Sequence, residues 1–231
     1  MLGKPFFKPF KGDSYEKGYC GVKTLVLGAS YYCTKSCEFH NVCTKESISF
    51  DKKCPLWINK GRYLSDSSTV ELDEYFDGGN YYTYDKFLLT LCDVPLPKEL
   101  DAKFALRKKF WNQSCFYNYI QHFLPNSKTP DYWNNKELFW KYKNAFEIVV
   151  NDCNPCIIIV WGAPLREALD DFYLKKYEKS ALKKSYHIAN ISNGRRLILF
   201  FDHPSAHVSI IKKKMQLPIL QDACNFINNK V

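Results

Sequence analysis

The sequence has no uninterrupted apolar run near the ~18 residues that a membrane-spanning helix needs. Its longest, Cys156 to Trp161, suffices for one buried strand. It has neither a GxGxxG nor a GxxxxGK[ST] loop, so the usual phosphate-cradling turns of nucleotide-binding enzymes are missing. No repeat, low-complexity tract or Gly/Ser linker divides it, and residues 1–231 read as a single domain. The opening stretch, MLGKPFFKPFKGD, interleaves proline with lysine and holds no apolar h-region. It does not read as a signal peptide, and a cytoplasmic location is expected. What is present excludes disorder: the 231 residues are 46% apolar and 16% aromatic, enough to build a sizeable core.

The net charge of +9 comes from 33 basic and 24 acidic residues, unevenly placed. Phe172 to Lys214 holds ten Lys or Arg against two acids, whereas Leu64 to Asn80 holds five acids and no base. A basic C-terminal third suits a polyanion such as a phosphate backbone; a solvated lysine-rich face is the plain alternative. Ten cysteines in a chain without a secretory leader read as reduced thiols rather than a disulfide scaffold. Cys33, Cys37, Cys43 and Cys54, with His40 among them, have the density of a structural tetrahedral metal site, zinc first and an iron–sulfur cluster second. Small buried thiols would explain them equally, and no cofactor is required. Cys153-x2-Cys156 crosses Asn154 and Pro155 and reads as a turn into the core.

Strands are expected at Val22–Leu27, Ser114–Ile120, Cys156–Trp161 and Arg196–Phe201. Helices are expected at Asn135–Val150, Ala163–Tyr173 (with Pro164 in its first turn) and Leu217–Ile227. The alternation predicts an α/β fold, three-layer α-β-α around a central, mostly parallel four-stranded sheet. A Cys-rich loop is expected at 33–54. The acidic, Tyr-rich 64–101 segment reads as an insertion or helical excursion. Ligands of such sheets sit at the carboxyl ends of the strands. That rule selects the loops Gly28 to Cys33, Gln121 to Ser127, Gly162 to Pro164 and His203 to Val208.

Four pieces, in order, carry a family resemblance: VLGASYY (Val26–Tyr32), SCFYNYI (Ser114–Ile120), CIIIVWGAPLREAL (Cys156–Leu169) and LILFFDHPSAHVS (Leu197–Ser209). The chain resembles the uracil-DNA glycosylase superfamily over roughly residues 22–32 and 110–227. This likeness implies a DNA-repair hydrolase that flips a damaged base from the stack and cleaves its N-glycosidic bond. It implies that His203 donates to the leaving base and that Asn118 reads the base's polar edge. Tyr32 would wall the pocket, and Phe50 or Phe39 would stack on the base. Ser205, His207, Lys212 and Lys213 would contact DNA, His207 standing where the family has a wedge leucine. Two departures fall in the first motif. Ser30 occupies the place of the family's water-activating Asp, and Ala29 that of its base-contacting Gln. A serine can orient a water but is no carboxylate base near neutral pH.

Three readings follow. One is a monomeric, DNA-acting glycosylase of the base-excision type with catalytic His203 and Ser30. Another is a weak or inactive nucleic-acid or nucleobase binder on the same fold. The third is an unrelated nucleotide-binding α/β protein. None involves a membrane.

Overall fold

The computed structural model describes residues 5–32, 72–73, 75–76, 81–92, 100–121, 123–124, 136–174, 186–205 and 216–229. It is an α/β structure. The main sheet comprises β1 (Phe10–Lys11), β2 (Thr24–Gly28), β4 (Ser114–Asn118), β6 (Ile157–Trp161), β7 (His187–Ile191) and β8 (Gly194–Phe201). A short parallel pair, β3 (Tyr31–Tyr32) and β5 (Phe123–Leu124), stands apart from it. The described helices are α1 (Tyr82–Cys92), α2 (Leu100–Trp111), α3 (Lys136–Cys153), α4 (Ala163–Leu169) and α5 (Gln216–Asn228).

The main sheet is mixed and six-stranded, in the order β1-β4-β2-β6-β8-β7, where the sequence suggested four strands. The inner four pair in parallel. Strands β1 and β7 add antiparallel edges. These edges left little trace in the sequence. Strand β1 is only two residues long, and β7 (HIANI) carries polar groups because an edge strand meets water on one side. Strands β7 and β8 form a hairpin whose turn residues, Ser192 and Asn193, both have positive φ (51° and 63°). That matches the right-handed twist of paired strands, and the following Gly194 begins β8.

Side chains alternate along a strand, so the sheet feeds two separate cores. Leu25, Leu27, Cys115, Tyr117, Ile158 and Val160 join α3 and α4 through Phe139, Tyr142, Phe146, Val149, Leu165 and Leu169. Val26, Phe116, Ile157, Ile159, Leu199 and Phe201 join α1, α2 and α5 through Phe87, Leu91, Phe110, Trp111 and Leu220. The sheet is therefore covered on both faces, which is why its inner strands read as continuous apolar runs. In α3 the apolar residues recur at helical spacing and reach Cys153, beyond the expected end at Val150. The expected 163–173 helix is α-helical only to Leu169; Asp170–Leu174 continue as a π turn. Of the acidic, Tyr-rich segment, α1 packs directly into the second core.

Cys153 lies buried at the end of α3, with its sulfur 3.4 Å from that of Cys115. Asn154 then takes a positive φ of 46° and turns the chain into β6, as the Cys153-x2-Cys156 spacing suggested. Cys20, Cys115, Cys153, Cys156 and Cys224 carry free thiols. No described helix is long and apolar enough to cross a membrane.

Candidate functional site

Period-two alternation also decides where the strand ends point. Gly28 follows Val26, Asn118 follows Phe116, Trp161 follows Ile159 and His203 follows Phe201 on the face that α1 covers. At the carboxyl ends of the four parallel strands these residues line one cavity of about 360 Å³. Ala29, Ser30, Tyr31 and Phe116 complete the sheet side, and Tyr81, Tyr82, Thr83 and Tyr84 close the other from the start of α1. The volume lies within the range of about 300–1,000 Å³ typical of small-ligand sites.

The strand ends are locked together. The amides of Tyr119 and Ile120 donate to the carbonyls of Gly28 (3.0 Å) and Ala29 (2.9 Å). Buried Gln121 donates through Nε2 to the Asn118 carbonyl at 2.6 Å and accepts the Phe7 amide on Oε1 at 2.9 Å. Gly28 is required by close approach, because a Cβ there would collide with Oδ1 of Asn118 and stand 3.1 Å from the Phe116 ring. Asn118 is only 5% exposed, and its side-chain amide makes no hydrogen bond among the described residues. A buried amide so placed is available to a ligand edge.

His203 follows β8 and is half-buried, its ring 6.3 Å from that of Trp161. The Ser205 backbone N–H donates to Nδ1 of His203 at 3.2 Å. A nitrogen that accepts is unprotonated, so a neutral ring here carries its proton on Nε2. The hydroxyls of Ser205 and Thr83, 2.8 Å apart, tie this loop to the start of α1.

The α1 wall rests on a buried ion pair. Arg107 of α2, 1% exposed, donates from Nε and Nη2 to the two carboxylate oxygens of Asp85, at 3.1 and 3.0 Å. Tyr75 donates its hydroxyl to Asp85 at 2.7 Å, and its carbonyl accepts from Arg107 Nη1 at 2.6 Å. Burial, then the bond to Asp85, pushes the Tyr75 phenol well above its usual range. The pair is bidentate and fully hydrogen-bonded, the arrangement in which a buried charge is tolerated.

Of the expected site residues, the cavity brings together Ser30, Ala29, Asn118 and His203. Tyr31 lines it; the backbone of Tyr32 lies in β3, and its side chain lies outside what is described. Ser205 stands at the rim, exposed. Phe39, Phe50, His207, Lys212, Lys213, His40 and the four candidate metal cysteines Cys33, Cys37, Cys43 and Cys54 lie outside the described residues. Among the described residues, no three His, Cys, Asp or Glu side chains cluster as a metal site would. Sequence reasoning missed Trp161, Phe116 and the Tyr81–Tyr84 wall. The strand-ending Trp161-Gly162 was a usable signal for the first, and nothing in the tyrosine spacing announced the last.

Among the described lining residues there is no carboxylate. The cavity can stack a flat ring on its aromatic walls, read a polar edge with an amide and donate from an imidazole. It holds no described group able to act as a carboxylate base. No family model matches the chain, and no curated protein matches it.

Proposed function

We propose that this chain is a DNA glycosylase-like protein that takes a flipped nucleobase, uracil or a related damaged base, into this cavity and hydrolyses its N-glycosidic bond. The reading extends the fold to the glycosylase-like α-β-α arrangement that the four sequence pieces resemble. One observation carries it: Asn118, His203 and the 28–31 loop, far apart in sequence, line a single aromatic-walled cavity at the strand ends.

In this reading a base stacks against the aromatic wall while Asn118 pairs with its polar edge. Such an edge-reading site rejects wrong bases because their misfit leaves buried polar groups unpaired. As the bond from the sugar's anomeric carbon to the base nitrogen breaks, negative charge gathers on the base. Here Nε2–H of His203, the tautomer that the Ser205 bond to Nδ1 favours, donates to it. Ser30 Oγ holds the water whose oxygen joins the sugar carbon, and the proton lost from that water neutralises the departing base.

A second reading is favoured by the lack of a carboxylate among the described lining residues: the cavity binds the base without cutting. Both are tested by incubating the protein with uracil-, hypoxanthine- and mismatch-containing oligonucleotides, single-stranded and duplexed, and measuring base release and alkaline strand scission. Release by the parent and its loss in His203→Ala support the enzyme. Salt-sensitive binding with no release supports the binder. Neither release nor binding contradicts both.

A further inference from the structure

Helix α1 has two faces. Tyr81, Tyr84, Phe87, Leu88 and Leu91 pack inward with the second core. Tyr82, Lys86 and Leu89, at i, i+4 and i+7, share the outward stripe. Of the large apolar side chains left exposed among the described residues, Tyr82 at 65%, Trp140 at 56% and Leu89 at 39%, Tyr82 alone borders the strand-end cavity. The Lys86 ammonium lies over its ring, 4.1 Å from the centroid. Among the described residues Lys86 has no carboxylate partner and the Tyr82 hydroxyl no hydrogen bond. With one face under the ammonium, an exposure of 65% leaves the opposite face of the ring open. The turn that carries it is anchored: the neighbouring Thr83 hydroxyl meets that of Ser205 at 2.8 Å, and the amides of Tyr84 and Asp85 donate to the Tyr81 carbonyl at 3.1 and 3.2 Å. A ring already held in place loses little freedom when something stacks on it.

We propose that Tyr82 and Lys86 form a platform at the mouth of the cavity for the nucleotide next to the one whose base enters: its base stacks on the open face of Tyr82, and Lys86 meets the phosphate charge of the strand. This rests on the base-pocket reading above and adds to it that the ligand is a strand rather than a free base or nucleoside, either of which would leave the platform empty. A strand with one base in the cavity must carry its neighbours past this rim. Every base has a π-face, so the platform contributes affinity without reading sequence.

The test uses short single strands carrying one 2′-fluorodeoxyuridine, whose sugar resists cleavage so that binding is read without turnover. In a second set the neighbouring nucleotide, 5′ and 3′ in turn, is an abasic analogue; in a third strand the analogue replaces the 2′-fluorodeoxyuridine itself. Affinities are read by fluorescence anisotropy. The parent should bind about tenfold more weakly when the neighbour on one side lacks its base. Tyr82→Ala should lose that preference and Tyr82→Phe should keep it. Lys86→Gln should lower the slope of log affinity against log salt by about 0.7, the share of one phosphate on a single strand. If the parent binds the intact and neighbour-abasic strands equally, yet binds the strand without its uracil more weakly, the inference is overturned and the base pocket stands. If it binds all the strands equally, the base pocket falls and the inference with it. A neighbour preference that survives in Tyr82→Ala also overturns the inference. Should Tyr82→Ala not fold, the parent's abasic series and the Lys86→Gln slope decide.

Discussion

At the scale of single residues, the site depends on one missing side chain. Gly28 does not have a positive φ, so its role is spatial: Asn118 Oδ1 occupies the room that a Cβ would take. Gly28→Ala should therefore fold normally while pushing the amide out of place. Its affinity for a uracil-containing strand should fall by about tenfold or more, measured by fluorescence anisotropy beside a melting curve that moves little. Undiminished affinity would show that Asn118 does not read the ligand. Ser30, Asn118 and His203 were legible in the sequence because each stands at or just beyond the end of an apolar strand, where a parallel sheet collects its ligand. The unpartnered Nε1 of Trp161 was not legible: a tryptophan ending a buried strand reads as packing, and only the structure shows that this atom has no hydrogen-bond partner among the described residues.

At the scale of elements, α1 is the part that sequence reading left unexplained. Its first residues wall the cavity and its later ones, Phe87, Leu88 and Leu91, enter the core. An acidic, tyrosine-rich stretch resembles a solvated excursion. Asp85 makes sense as a buried residue only once Arg107, 22 positions along, is brought against it. Removing one partner by Arg107→Ala leaves that carboxylate buried and uncompensated and should cost about 3–5 kcal/mol. The double change Asp85→Leu with Arg107→Met should recover much of that loss, because two apolar groups need no pairing. Urea unfolding of parent, single and double variants reads the difference. A single variant as stable as the parent would show that the pair does not hold the α1 wall. The inner strands and α3 were legible for the converse reason: burial on two faces, or on one helical stripe, writes its period directly into the sequence.

At the scale of the whole molecule, stability and binding both carry a charge signature. His187, half-buried in β7 against Phe200, is held below the ordinary histidine value chiefly by burial; Asp170 opposes that shift and Arg166 adds to it. The folded state thus resists protonation more than the unfolded chain. The stabilisation from neutral His187 is complete above about pH 6.5 and is lost as pH falls from there through the lower folded value. His187→Phe keeps the ring contact and removes the proton, so the parent should lose stability relative to this variant on acidification. Parallel curves of melting temperature against pH would contradict the assignment. The excess of basic residues gives any nucleic-acid complex a salt dependence but says nothing of bases. In the proposed reading the cavity supplies base selection, and extrusion of a base is what that reading most needs to be true. The most direct measurement places 2-aminopurine beside deoxyuridine in a duplex and follows its fluorescence as protein is added, since unstacking a neighbour brightens it. The account predicts saturable brightening with the parent, none when thymidine pairs normally in place of deoxyuridine, and little with Gly28→Ala. Tight binding to the deoxyuridine duplex without any brightening would contradict it.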